Sequence, residues 1–136
     1  MSAYLLNLQY ADGTMAVLNV AVASTPPWKL TVSGGGFEGQ EFEGDDLFGA
    51  MTALRRKLEK RGISLQCAGA RKDVYPSGMS RSMGSARNAY VTTLGEPAIF
   101  LVDIFDPAGA EQVGTVSEQK QHREKWAASL REKLGA

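Results

Sequence analysis

The protein has 136 residues, with 15 basic and 15 acidic side chains, and therefore carries no net charge at pH 7. This length and a hydrophobic content of 43% fit a single globular domain spanning residues 1–136. Zero net charge argues against a globally basic nucleic-acid binder. The single cysteine, Cys67, excludes an internal disulfide, and the single histidine, His122, excludes a histidine-rich metal site, so no cofactor is expected.

The charges are distributed unevenly along the chain. Residues 1–48 hold one base and six acids, residues 49–95 hold nine bases and two acids, and residues 96–136 hold five bases and seven acids. The three segments therefore carry net charges of −5, +7 and −2. Such an asymmetry predicts acidic and basic surfaces that either satisfy each other or face a partner.

A β-hairpin is predicted at the start of the chain. Residues 4–10 show the alternation of a strand, residues 15–22 form the return strand, and Asp12-Gly13 between them is a strong hairpin signal. A two-residue turn there places Tyr10 opposite Met15. Apolar side chains occur on both faces of the hairpin, which predicts that it is either central in its sheet or covered on both sides.

Two further strands are predicted before the first helix. Residues 28–32 alternate as a strand, and Gly34 to Gly36 form a turn. Residues 37–42 form a weaker fourth strand. Its Glu38 and Glu41 favour an edge position, because charge at an edge opposes pairing with other chains.

The first helix has the clearest signal in the chain. Asp45 or Asp46 caps its start, it runs to about Arg61, and Gly62 is the expected stop. Apolar residues recur along one face at helical spacing. They are Leu47, Met51, Leu54 and Leu58.

The second half of the chain is predicted to hold three strands and a helix. The strands cover residues 63–67, 89–94 and 98–105, and the last is apolar at nearly every position, which predicts burial on both faces. The final helix begins at Thr115, which forms a capping box with Glu118. One face of this helix carries His122, Trp126, Ser129, Leu130 and Leu134.

Hairpins dominate the order of these elements, and helices do not alternate with strands. This order predicts an α+β domain, with a mostly antiparallel sheet of five to seven strands and two helices packed on one face.

Residues 69–88 lack a clean period and allow two interpretations. In the first, a loop rich in glycine and serine binds an anion, such as a phosphate or carboxylate, beside Tyr75. In the second, Ser77 caps a short helix over residues 79–86, with Met79 and Met83 packed on the core. The basic side chains then pair with Asp103 or with the acidic N-terminal segment. These bases are Arg71, Lys72, Arg81 and Arg87.

The acidic run near residue 40 also has two interpretations. It is either a solvated strand edge followed by a helix cap, or a docking surface on which charge steers association with a basic protein. Its spacing does not match a calcium-binding EF-hand loop. The candidate docking residues are Glu38, Glu41, Glu43 and Asp45.

No set of residues has the pattern of a catalytic centre. Cys67 lies on an alternating strand face, which favours burial as a small hydrophobic residue, and a Cys67–His122 nucleophile pair requires a fold that brings the two together. Asp103 interrupts an apolar strand and needs a partner, for which Arg71 or Arg87 is the natural candidate. A non-enzymatic role is therefore favoured.

Two functional hypotheses follow. The first is a cytoplasmic binding protein with one protein partner, for example an immunity-type inhibitor that plugs the active cleft of a bacterial toxin. The second is an enzyme or sensor that holds a small anionic ligand in residues 69–88. Nucleic acid is disfavoured, because only Tyr75 and Tyr90 offer stacking surface near the basic loop. An N-terminus without a basic leader and apolar runs far short of about 20 residues predict neither a secretion signal nor a membrane helix.

Overall fold

The computed structural model describes residues 2–135, except for the side chain of Met83. It confirms the α+β class, with eight strands and three helices in these residues. The strands are β1 (Ser2–Gln9), β2 (Met15–Val22), β3 (Lys29–Ser33), β4 (Gln40–Glu43), β5 (Ser64–Gln66), β6 (Val74–Tyr75), β7 (Asn88–Val91) and β8 (Phe100–Asp103). The helices are α1 (Leu47–Glu59), α2 (Gly78–Met83) and α3 (Val116–Lys133).

The strands form two antiparallel sheets. The larger sheet has the order β4-β3-β2-β1-β5, and the smaller has the order β6-β7-β8. β4 is an edge strand, as its glutamates predicted. Buried side chains of both sheets and of α1 join one hydrophobic cluster, which includes Leu8, Leu54 and Ala89.

The predicted register of the first hairpin is wrong by one residue. Met15 lies opposite Gln9 rather than Tyr10. The loop closes with a hydrogen bond of 2.8 Å from the Tyr10 N–H to the Thr14 carbonyl, and Gly13 has a φ of +88°. Three residues therefore separate the last bonded pair, and a glycine in the left-handed region ends such a loop without strain.

The hairpin is central in its sheet, between β3 and β5, which confirms one of the two predicted alternatives, but its two faces are not both covered. Leu6 and Leu18 point into the core beneath α1, whereas Leu5 and Val17 on the opposite face are exposed. A one-residue difference in register exchanges the two faces of one strand relative to the other. In the observed register the more apolar faces of both strands point inward, and the outer face is left without a covering helix.

Helix α1 forms as its local signals predicted. The Asp46 carboxylate accepts a hydrogen bond of 2.7 Å from the Gly49 N–H, which supplies the N-cap. Gly62 follows the helix with a φ of +70°. The predicted apolar stripe is buried, and Arg55 is buried beside it.

Residues 69–88 hold regular structure. They contain a short 3₁₀ turn at Ala68–Ala70, then β6 and α2. Ser77 caps α2 by accepting a hydrogen bond of 3.0 Å from the Ser80 N–H, which confirms the predicted short helix. Met79 is 71% exposed, so the prediction that it packs on the core is wrong, and the prediction for the Met83 side chain lies outside the described part of the chain.

The strand predicted over residues 98–105 is shorter and more exposed than expected. Of residues 98–105, only Phe100–Asp103 form a strand, and Ile99, Phe100 and Leu101 are all exposed. The apolar run predicted burial on both faces, which is wrong: β8 is the edge of the smaller sheet, and although Val102 packs against the core, Phe100 and Leu101 are left uncovered.

Helix α3 begins at the predicted capping box of Thr115 and Glu118. Its only buried residue is Gln119. The predicted face is half-buried except for Leu134, which is exposed. No helix in residues 2–135 is both long and apolar enough to cross a membrane.

Candidate binding groove

A groove of about 520 Å³ lies where the first turns of α1 and α3 meet α2 and β6. It brings together parts of the acidic and the basic sequence segments. Tyr75 and Arg81 come from the basic segment, and Glu43 and Asp45 come from the acidic one. Four of the nine residues that the sequence indicated as binding candidates therefore line one groove.

An ion pair joins the two segments beside this groove. Arg81 Nε donates to Asp46 Oδ2 at 2.8 Å, and the same carboxylate caps α1 through the Gly49 N–H. The Asp46 side chain is 2% exposed, whereas that of Arg81 is 34% exposed. Both oxygens of the buried Asp46 carboxylate thus accept hydrogen bonds, and the Arg81 guanidinium extends from it toward solvent. The interpretation in which the arginines pair with the acidic segment holds at this position.

Two aromatic rings flank the Arg81 guanidinium. Phe48 and Tyr75 lie 5.1 Å apart between ring centroids and are tilted by 60°. The guanidinium lies 5.3 Å from the Phe48 centroid and donates to the Tyr75 hydroxyl at 3.4 Å. Arg123 of α3 lies 4.9 Å over the Tyr75 ring. Cation–π contacts of this kind hold both arginines against the rings.

Two glycines allow close packing at the start of α1. A Cβ at Gly49 would lie 3.3 Å from Asp46 Oδ1 and 3.6 Å from an Arg81 nitrogen, so a side chain there would crowd the ion pair. A Cβ at Gly44 would collide with the backbone nitrogen of Ala50. Glycine at both positions therefore permits close packing of β4, α1 and Arg81.

The rim of the groove carries charges of both signs. Glu43 and Asp45 stand at the start of α1, and Arg56 and Lys120 stand on α1 and α3. All four side chains belong to exposed residues. None takes part in an ion pair within residues 2–135. These four residues are called the rim charges below.

The other basic candidates lie outside the groove. Arg71 forms a two-pronged contact with Asp73, with distances of 2.9 and 2.8 Å. Arg87 donates to Asp103 at 2.9 Å, as one interpretation of the sequence predicted. Lys72 is exposed. The guanidinium groups of Arg71 and Arg87 are therefore already paired with neighbouring carboxylates.

The other acidic candidates also lie outside the groove. Glu41 forms an ion pair of 3.0 Å with Lys29 on the neighbouring strand. Glu38 accepts a hydrogen bond of 3.1 Å from the Gly34 N–H. Both residues thus support the edge of the larger sheet locally.

Neither Cys67 nor His122 lines the groove. The Cys67 thiol is buried and donates to Met51 Sδ at 3.7 Å. Burial raises the pKa of this thiol to about 11. His122 Nε2 is buried and has no hydrogen-bond partner in the described structure, so it does not bond to the thiol. No three His, Cys, Asp or Glu residues within residues 2–135 are grouped to hold a metal ion.

The buried thiol gives a direct prediction for chemical labelling. Because the pKa of Cys67 is raised to about 11, the reactive thiolate is scarce at pH 8. Iodoacetamide should therefore label the native protein at least about 100-fold more slowly than the urea-unfolded chain, whose thiol has a pKa of about 8.5. Mass spectrometry of timed samples measures both rates, and equal rates would contradict the burial of Cys67.

The sequence did not indicate several groove residues. Phe48, Arg56 and Lys120 are among them. Asp46 was expected as a cap but not as the partner of Arg81. No local pattern reveals which helix starts meet, since that depends on packing between distant parts of the chain.

Comparison with known proteins does not assign the chain to a family. Neither protein-family models nor curated protein sequences match it.

Proposed function

We propose that this protein is a non-enzymatic binding protein that holds a segment of a protein partner in the groove. The observation that carries the proposal is the set of rim charges, which have both signs and lack ion-pair partners in the described structure. They surround the half-buried Tyr75 and Arg81, and aromatic and arginine side chains contribute most to the affinity of protein interfaces.

Charge favours a polypeptide over a small anion. An anion in this groove would meet Glu43 and Asp45 as well as the bases. The anion-binding hypothesis also relied on Arg81 and Arg87, whose side chains already bond to Asp46 and Asp103. A polypeptide segment carries basic and acidic side chains together and matches a rim of mixed sign, which sets specificity as well as affinity.

The chemistry-bearing side chains support a non-enzymatic role. The Cys67 thiol is buried with a raised pKa, and the accessible groups of the groove are charges, amides and hydroxyls without a nucleophile–base pair. In the most concrete version of the proposal, the chain is an immunity-type inhibitor and its partner is a bacterial toxin whose active cleft it blocks.

Site-specific crosslinking tests where a partner binds. A photoreactive benzoylphenylalanine at Ala53 lies in the groove, and the same residue at Asn19 lies on the uncovered face of the larger sheet. The full-length variants are irradiated in cells of the source organism, and the crosslinked proteins are identified by mass spectrometry. We expect one protein to be captured from Ala53 and not from Asn19.

Three outcomes would overturn the proposal. They are capture of the same protein equally from both positions, capture from Asn19 alone, and capture from neither. Stabilisation by inorganic phosphate or citrate that the Arg81→Ala substitution abolishes would instead favour the anion-binding hypothesis. That arm uses the purified wild-type protein and needs no partner.

A further inference from the structure

The free edge of the smaller sheet exposes three consecutive apolar side chains. Ile99, Phe100 and Leu101 are 73%, 70% and 57% exposed. Their side chains alternate between the two faces of the sheet, so one covering helix could not bury all three. A strand added to the edge would cover both faces, and exposed apolar edges of this kind are sites of strand pairing.

The hydrogen bonds of β8 show which backbone groups point away from the sheet. The Ile104 N–H donates to the Arg87 carbonyl at 2.9 Å, so even-numbered residues of β8 bond to β7. The backbone groups of Leu101 and Asp103 therefore point outward, and extension of β8 by one residue would direct those of Ile99 outward as well. The Asp103 N–H is already taken by the Asp106 carboxylate at 3.2 Å. Ile99 and Leu101 are therefore the residues whose backbone groups can form hydrogen bonds with an added strand.

This pattern is self-complementary under a two-fold axis. In an antiparallel pair of two β8 edges, Ile99 of one copy can exchange backbone hydrogen bonds with Leu101 of the other, and the reverse contact is identical. Phe100 then lies on the axis opposite its own copy. Centring the axis on Leu101 instead would place Ile99 opposite Asp103, whose N–H is blocked, so this register forms fewer hydrogen bonds.

Charge favours pairing of two β8 edges over pairing through the β4 edge of the larger sheet. Residues 97–102 carry no charge, and the adjacent Asp103 is neutralised by Arg87. Two β8 edges therefore meet without repulsion between like charges. The β4 edge carries Glu43, which is exposed and forms no ion pair within residues 2–135, and it would repel the same residue of a second copy.

We propose that β8 pairs with β8 of a second copy of this chain, joining two three-stranded sheets into one six-stranded antiparallel sheet. The bonded segment is short, so the dimer forms reversibly and dissociates on dilution. The proposal does not depend on the groove, which is lined by other residues.

Sedimentation equilibrium of the full chain from about 1 μM to about 500 μM measures the association. The wild type should shift from monomer toward dimer across this range. Leu101→Lys should remain monomeric, because it places like charges at the pairing edge. The matched control is Leu5→Lys, which alters another exposed leucine, on the larger sheet, and should dimerise like the wild type.

Disulfide trapping tests the register. Phe100 faces its copy at a non-hydrogen-bonded pair with Cα atoms about 4.5 Å apart, within the range of a disulfide. Two copies of Leu101 are diagonal neighbours, at about 7 Å or more, beyond that range. Phe100→Cys should therefore form a disulfide dimer at least about tenfold faster than Leu101→Cys. A wild type that stays monomeric, a dimer that survives Leu101→Lys or is lost in Leu5→Lys, or equal trapping rates would overturn the proposal.

Discussion

Replacing Gln119 with alanine should lower the free energy of unfolding by about 3 kcal/mol or more. The Gln119 Nε2 lies 2.8–2.9 Å from the carbonyl oxygens of Gly69, Arg71 and Val74, which share its two N–H groups. Its Oε1 accepts a hydrogen bond of 2.7 Å from Arg55. Each buried polar group left without a partner costs about 1–3 kcal/mol, and the substitution removes the partner of several at once.

Arg55 makes the loss of Gln119 more severe. Its guanidinium is buried and bonds to the Gly114 carbonyl and to Gln119, and burial lowers the pKa of Arg55. No carboxylate bonds to it in the described structure. The charge therefore depends on carbonyl and amide oxygens for its stabilisation, and a buried charge that loses such a partner is strongly destabilised.

Urea unfolding followed by circular dichroism measures the effect of Gln119→Ala. The control is Gln121→Ala, which changes an exposed glutamine of the same helix and should alter stability by less than about 0.5 kcal/mol. Equal effects of the two substitutions would show that Gln119 does not anchor α3. Native-state hydrogen exchange should further show faster exchange in α3 of the Gln119→Ala protein, since Gln119 is the only residue that α3 buries.

Replacing Asp46 with alanine should lower the free energy of unfolding by about 2 kcal/mol. The substitution removes the N-cap of α1, which contributes about 1 kcal/mol, and a charge-assisted bond to Arg81 of comparable size. Asp46→Asn keeps a cap acceptor but not the charge, so it should lose about half as much. Asp45→Ala, at the exposed neighbouring position, should change stability by less than about 0.5 kcal/mol.

Urea unfolding of the single and double variants with Arg81→Gln separates the two contributions of Asp46. A coupling energy between Asp46 and Arg81 of about 1 kcal/mol is expected, because the two side chains are in direct contact. Strict additivity of the two substitutions would contradict the ion pair. A loss from Asp45→Ala as large as that from Asp46→Ala would contradict the assignment of the cap.

Elements with local signals were predictable from the sequence. The stripe of α1, the capping box of α3 and the Ser77 cap of α2 depend on residues within a few positions of each other. The pairing of Arg87 with Asp103 was also predictable, because a charge in an apolar strand needs a partner.

Features that depend on tertiary context were not predictable. The register of the first hairpin differs because Ala11, Asp12 and Gly13 all belong to the loop, and the turn signal Asp-Gly fits loops of two and of three residues. The run Ile99 to Leu101 gave the signal of a buried strand, yet it lies at a sheet edge. Hydrophobicity alone does not distinguish a buried strand from an exposed edge strand.

The groove was predictable only in part, for the same reason. Tyr75 and Arg81 were predictable as binding candidates because their segment lacks a regular hydrophobic period. Glu43 and Asp45 were predictable because they belong to an acidic run. Their meeting depends on the contact between α1 and α3, which Gln119 secures through Arg55 across 64 positions of sequence. The rim bases Arg56 and Lys120 lie on two helices that are far apart in the sequence, and only the folded chain brings them to the same groove.

The affinity for the protein captured from Ala53, measured by calorimetry, tests the central claim that the groove is the docking site. Glu43→Lys with Asp45→Lys, and separately Arg56→Glu with Lys120→Glu, should each raise Kd by at least about tenfold, since each reverses two charges at one interface. The control pair, Lys57→Glu with Glu124→Lys, alters exposed helix residues outside the groove and should change Kd by less than about twofold. Unchanged affinity in both groove variants, or an equal loss in the control, would contradict the claim.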